Sequence, residues 1–82
     1  MLEKVKNKVG NILEKYDAQI TRVYVEEENH NKYLRVEISR QEKIDSGTIY
    51  KIGELISPLI DEMDLIKDSY ILDIYGKGEE NE

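Results

Sequence analysis

The residues that could act as catalysts or metal ligands are few, and they are spread along the chain. The single histidine, His30, lies between two asparagines in a polar segment, and the chain has no cysteine. A zinc site needs several converging histidine, cysteine or carboxylate ligands, and a serine nucleophile needs a base beside it. None of the four serines has a histidine near it in sequence: Ser39, Ser46, Ser57 and Ser69. We therefore expect no catalytic residue, and the protein is predicted not to be an enzyme.

The acidic and glycine-containing segments also lack the pattern of a ligand site. The run 26–28 is three glutamates in a turn, where a solvated charged loop is the simpler interpretation. The segment 76–78, Gly-Lys-Gly, follows a strand pattern but no helix comes after it, so it does not form a phosphate-binding loop. Two carboxylate pairs, Asp61 with Glu62 and Asp64 with Asp68, fall on a predicted solvated edge. We expect no metal and no cofactor.

Composition and charge point to a small domain that binds another macromolecule. The chain has 82 residues, which is enough for one domain, and 39% of them are apolar against 37% charged. The net charge is −6, and residues 41–82 alone hold eleven acidic residues against four lysines. Nucleic-acid backbones are bound by clustered basic residues, so we expect no direct sequence-specific contact with nucleic acid. A basic protein partner fits better, although the acidity could also serve solubility alone.

The first residues lack the apolar stretch of a signal peptide, and no apolar run approaches the length of a membrane span. Together with the absence of cysteine, this predicts a cytoplasmic protein with no membrane partner.

Apolar periodicity predicts five elements. A helix over 2–16 is followed by strands over 19–26 and 33–40, with a hairpin turn in the polar residues between them. Asp45 is the predicted N-cap of a second helix that reaches Met63, and Pro58 should kink it. A strand over 70–75 precedes a polar tail over 76–82, so that the domain is predicted to span 1–75.

These elements predict an α+β two-layer sandwich of order α-β-β-α-β, with a three-stranded sheet and both helices on one face. Thr21, Val23 and Val25 are expected to face the helices. The sequence leaves open whether the third strand pairs parallel to the second or antiparallel to the first. The predicted central core residues are Ile38, Ile52, Ile56, Leu59 and Leu72. The open sheet face is expected to carry Arg22, Tyr24, Tyr33, Arg35, Asp73 and Tyr75, which form either a contact surface or an ordinary solvated face.

Three stretches resemble a known family. They are Leu34-Arg35-Val36 with Ile38, then Ile44-Asp45 and Leu59-Ile60-Asp61 with Asp64 and Ile66, and last Tyr70 with Leu72-Asp73-Ile74. This pattern resembles the N-terminal domain of the bacterial ribosome maturation factor RimP. The family's Ser-Ser-Pro-Gly segment is replaced here by residues 75–78, which puts any function of that segment in doubt. The 82 residues contain no counterpart of the family's SH3-like C-terminal domain, so the sequence is either a stand-alone relative or one domain of a longer protein.

The resemblance implies a non-enzymatic factor that assists assembly of the small ribosomal subunit by binding a basic ribosomal protein. The acidic residues expected to take part are Asp61, Glu62, Asp64 and Asp68, and Arg22, Tyr24, Tyr33 and Arg35 form the competing surface. An alternative is a dimerising or regulatory module unrelated to ribosomes, such as the cytosolic domain of cation transporters, which has the same element order but usually carries metal ligands. A KH-like RNA-binding domain would need a Gly-x-x-Gly loop and a basic groove, and the sequence has neither.

Overall fold

A computed structural model describes residues 1–78 of the chain. Its elements, in order, are α1 (Leu2–Glu14), β1 (Ala18–Glu28), β2 (Asn31–Arg40), α2 (Ser46–Glu62) and β3 (Ile71–Gly76). The predicted α+β class and element order are therefore confirmed. The ends differ slightly, since α1 is two residues shorter than predicted and β3 begins and ends one residue later. Most of the predicted polar tail, residues 79–82, lies outside the described residues.

A two-residue turn joins β1 to β2. Glu28 pairs with Asn31, and the turn residues Asn29 and His30 have φ angles of 50° and 69°. Positive φ at both central residues is the geometry that matches the twist of a hairpin, and asparagine tolerates it better than most residues. The solitary histidine thus serves as an exposed turn residue.

The sheet has the order β1-β2-β3, with β2 in the centre. β2 is antiparallel to β1 and parallel to β3, which answers the question that the sequence left open. The chain returns from β2 to β3 through α2, as a parallel pair requires a long connection. β3 is consequently an edge strand with one side unpaired by any strand of residues 1–78.

The core lies between the two helices and one face of the sheet. Its fully buried side chains come from α1 (Val5, Val9, Leu13), from β2 (Leu34, Val36, Ile38) and from α2 (Ile52, Ile56, Ile60). Both helices pack on the same sheet face, as predicted. The structure also shows that they contact each other. Of the predicted core residues, Ile38, Ile52 and Ile56 are fully buried, whereas Leu59 and Leu72 are only half-buried.

The second helix begins at a side-chain N-cap and continues through an internal proline. Oδ1 of Asp45 accepts a hydrogen bond of 2.7 Å from the backbone N–H of Thr48, which confirms the predicted N-cap. The same contact lowers the pKa of Asp45. α2 runs through Pro58 to Glu62 without a break in helical structure. The buried stripe of α2 keeps regular helical spacing past the proline, from Ile56 to Ile60. Ile60 is therefore fully buried, and Leu59 lies at the margin of the core.

Candidate partner-binding surfaces

The strand register collects the predicted open-face residues into cross-strand rows. Tyr24 of β1 lies opposite Arg35 of β2, which lies opposite Asp73 of β3. In the adjacent row Arg22 lies opposite Glu37, which lies opposite Tyr75. The sequence therefore placed these side chains on the correct face. The parallel pairing of β3 with β2 brings Asp73 and Tyr75 next to the residues of the hairpin.

Arg35 is held by three carboxylates. Its Nε donates to Oε1 of Glu26 at 2.6 Å, its Nη1 donates to Oδ2 of Asp73 at 2.6 Å, and its Nη2 lies 3.4 Å from Oε2 of Glu28. Partial burial disfavours the charged form, but the hydrogen bonds to Asp73 and Glu26 outweigh it and raise the pKa of Arg35. The guanidinium also lies 4.6 Å from the ring centre of Tyr33. Arg35 is thus neutralised within the domain, and this group of four charged residues, the Arg35 cluster, carries an excess of negative charge.

A second polar network lies beside it and is centred on one buried carboxylate, that of Glu37. Glu37 is 4% exposed, and its Oε1 accepts a 2.6 Å hydrogen bond from the hydroxyl of Thr21. The hydroxyl of Tyr75 donates to Oε2 of Glu37 at 3.2 Å and lies 3.0 Å from the hydroxyl of Tyr24. Burial, the hydrogen bond with Tyr24 and the nearby charge of Glu37 raise the pKa of Tyr75 well above its usual range. This network fixes β3 to β2 and β1 on the open face.

The expected orientation of Thr21 was wrong, and the structure shows why. The pairing register shifts between Ile20 and Arg22, which leaves Thr21 as an extra residue in β1. Such a β-bulge turns a side chain that strict alternation would place inward, and here it brings Thr21 to Glu37. The alternation in the sequence does place Glu37 outward, but nothing in the sequence indicates the bulge or the burial of this carboxylate.

Arg22 differs from Arg35 because no carboxylate pairs with it in the part of the chain that the structure describes. Its guanidinium carbon lies 4.4 Å from the ring centre of Tyr24, in a cation–π contact, and its side chain is exposed. Of the two arginines predicted on the open face, Arg22 is therefore the one with a charge available to a partner.

The four acidic residues predicted as a binding surface lie at the end of α2 and in the loop before β3, and all are exposed. We call Asp61, Glu62, Asp64 and Asp68 the acidic rim. Oδ1 of Asp61 accepts a 2.5 Å hydrogen bond from the hydroxyl of Tyr70, which raises the pKa of Tyr70 to about 12. Asp68 forms a 3.0 Å ion pair with Lys32. The side chains of Glu62 and Asp64 bond to no other side chain among residues 1–78, so these two residues present the rim's unpaired charge.

Residues 1–78 contain no group of three or more histidine, aspartate or glutamate side chains arranged to hold a metal ion. Neither of the described helices is long and apolar enough to cross a membrane.

The fold and its surfaces define a small two-layer α+β domain with a charged open sheet face and an acidic rim at one end of α2. The family model described as the RimP N-terminal domain matches residues 8–79. Because that match covers most of the chain, the protein belongs to the RimP N-terminal domain family of ribosome maturation factors, as the sequence resemblance predicted. A role in ribosome biogenesis, with ribosome-associated partners, follows from this membership.

Proposed function

We propose that this domain assists assembly of the small ribosomal subunit by binding a basic ribosomal protein, and that it does so in the cytoplasm without catalysing a reaction. Membership of the RimP N-terminal domain family carries this proposal. It favours a ribosomal role over the alternative of a dimerising or regulatory module related to transporter domains. The net charge of −6 supports a basic partner, since opposite charge speeds encounter and orients docking.

The acidic rim is the surface we propose for this contact. Its four carboxylates are exposed and fall within residues 61–68, and Glu62 and Asp64 have no competing side-chain partner among the described residues. The competing surface on the open face is less suitable for a basic partner, because Arg22 is positively charged and exposed there. The Arg35 cluster still gives that face some negative charge, so both surfaces need testing.

The decisive experiment compares charge-removing variants that leave the fold intact. Glu62→Gln with Asp64→Asn removes two charges from the rim without breaking a side-chain hydrogen bond. Glu3→Gln with Glu14→Gln removes the same charge from exposed positions on α1 and serves as the matched control. Binding to purified small ribosomal subunits and to their isolated basic proteins would be measured at low and physiological salt.

We expect the rim variant to bind about three- to tenfold more weakly at low salt. The expected loss is modest because each exposed ion pair with a partner contributes little binding free energy. The difference should shrink as salt rises, because salt screens exposed charges. Equal binding by the rim and α1 variants would refute the rim as the contact. If Tyr33→Ala then abolished binding, the open face would replace it, and if the parent protein bound no ribosomal component, the ribosomal proposal itself would fail.

A further inference from the structure

The outer edge of β3, at Leu72 and Ile74, lies beside an apolar groove. The groove has a volume of about 510 Å³ and runs between α2 and β3. Its walls include Ile49, Gly53 and Ser57 from the helix and Leu72 and Ile74 from the strand. Gly53 keeps the groove open because it has no side chain. A Cβ at this position would lie 3.7 Å from Cδ1 of Ile74.

The backbone of the same strand offers hydrogen-bonding groups on that side. The N–H of Lys77 donates to the carbonyl of Ile38 in β2 at 2.7 Å. Successive residues of a strand direct their backbone groups to opposite sides, so Asp73 and Tyr75 also face β2. Leu72 and Ile74 therefore direct their N–H and C=O groups away from β2, toward the open edge. Their side chains line the groove, so that unpaired backbone and apolar surface occur at the same two residues.

An exposed strand edge of this kind is a template for another strand. An added strand would project alternate side chains into the groove and onto the open sheet face. On the groove side it would meet Leu72 and Ile74. On the open side it would pass Asp73 and approach the Arg35 cluster, where three carboxylates surround one guanidinium.

The charges around the groove indicate which kind of segment could bind there as an added strand. Residues 45–76, which include α2 and β3, hold seven acidic residues and two lysines. A second copy of this chain would bring another net charge of −6 and set one Asp73 near another, and both effects are repulsive. A segment with basic side chains on its outward face would instead be attracted.

We propose that β3 and the α2–β3 groove bind an extended segment of a partner protein in which apolar and basic residues alternate. The apolar residues fill the groove, the basic residues lie beside Asp73, and backbone hydrogen bonds form with Leu72 and Ile74. This surface is separate from the acidic rim, and the inference holds whether or not the partner is ribosomal.

The test uses nuclear magnetic resonance titration of the isotope-labelled protein with a short synthetic peptide in which lysine and valine alternate. We expect the largest shift changes at the amides of Leu72 and Ile74, together with slower hydrogen exchange there. A peptide with glutamate in place of lysine should bind at least about tenfold more weakly. Absence of shift changes at these amides, or equal binding of the glutamate peptide, would overturn the proposal.

Two peptides with N-methylated amides test the backbone bonds. Methyl groups on the amides that face β3 should abolish binding, whereas methyl groups on the intervening amides, which face away, should be tolerated. Equal loss with both peptides would show that the peptide does not bind as an added strand.

Two matched glycine variants test the groove. Gly53→Leu fills the groove, and its Cβ makes only an ordinary contact, so we expect it to fold and to lose peptide binding at least about tenfold. Gly10→Leu makes the same exchange in α1, where a Cβ meets nothing within 4 Å, and should bind like the parent. Equal binding by the two variants would overturn the proposal. Self-association of the parent in sedimentation experiments that Gly53→Leu abolishes would do the same, because it would assign the groove to a second copy.

Discussion

Tyr75 connects all three strands through its hydroxyl. It donates to Glu37 of β2 and lies within hydrogen-bond distance of Tyr24 of β1. A phenolate at this position would lose its bond to Glu37 and face that side chain's negative charge in a partly buried site. Both effects keep Tyr75 protonated at pH values where an exposed tyrosine ionises.

This environment predicts a loss of stability at alkaline pH. The pKa of Tyr75 is raised in the folded protein from the usual value of 10, so the unfolded chain releases the proton first as pH rises. The contribution is complete below pH 10 and declines above it. Urea unfolding at a series of alkaline pH values should show a shallower decline for Tyr75→Phe than for the parent. Identical slopes for the two proteins would contradict the prediction.

At the residue scale, the sequence predicted which sheet face a side chain occupies better than it predicted which side chains it contacts. Alternation correctly placed Arg35, Asp73 and Tyr75 on the open face, because a strand side chain's direction follows from its position. It did not predict that Arg35 would be neutralised by three carboxylates, since two of these come from β1 and one from β3. Those contacts depend on register and strand order, which a single sequence does not specify.

At the scale of elements, α2 continues through an internal proline and keeps its buried face. Pro58 has no N–H, so the carbonyl of Glu54 loses its usual helical donor. The hydroxyl of Ser57 donates to the neighbouring carbonyl of Gly53 at 2.6 Å. Beyond this point Ile60 is fully buried, while Leu59 is half-buried.

Core truncations in α2 test this arrangement. Ile60→Ala should lower the free energy of unfolding by about 2–5 kcal/mol, as large-to-small changes at fully buried sites do. Leu59→Ala should cost less than about 2 kcal/mol, because part of its side chain already contacts water. Leu55→Ala, at a position 47% exposed, is the control with little effect. Urea unfolding of the three variants would measure this order, and a larger loss for Leu59→Ala than for Ile60→Ala would contradict it.

The elements themselves were predictable because each has a strong local pattern. The N-cap at Asp45, the apolar stripe of α2 and the alternation of β2 are encoded within a few residues. The pairing of β3 with β2 was left open because both arrangements bury the same apolar face. The choice between them depends on packing of the whole domain.

At the scale of the whole molecule, a net charge of −6 on a small domain produces self-repulsion. We expect the melting temperature to rise between about 0.02 and about 0.5 M sodium chloride, because salt screens this repulsion. The Glu62→Gln, Asp64→Asn variant has a net charge of −4 and should rise less. A melting temperature that falls with salt would show instead that ion pairs such as Lys32–Asp68 contribute more than the repulsion removes.

In the sheet, β2 lies between β1, which precedes it directly in the chain, and β3, which follows only after α2. This arrangement has a consequence for the order of folding. The turn at Asn29 and His30 lets β1 and β2 meet after closing a very short loop, whereas β3 must return across the whole of α2. Loop closure costs more entropy as the loop lengthens, so we expect the hairpin to form first and β3 to dock last. In native-state hydrogen exchange, the amides of β3 that bond to β2 should then exchange through openings of lower free energy than the opening that exposes the amide of Val36. Equal protection of these amides would argue against this order. On this account the groove beside β3 appears only when folding is complete.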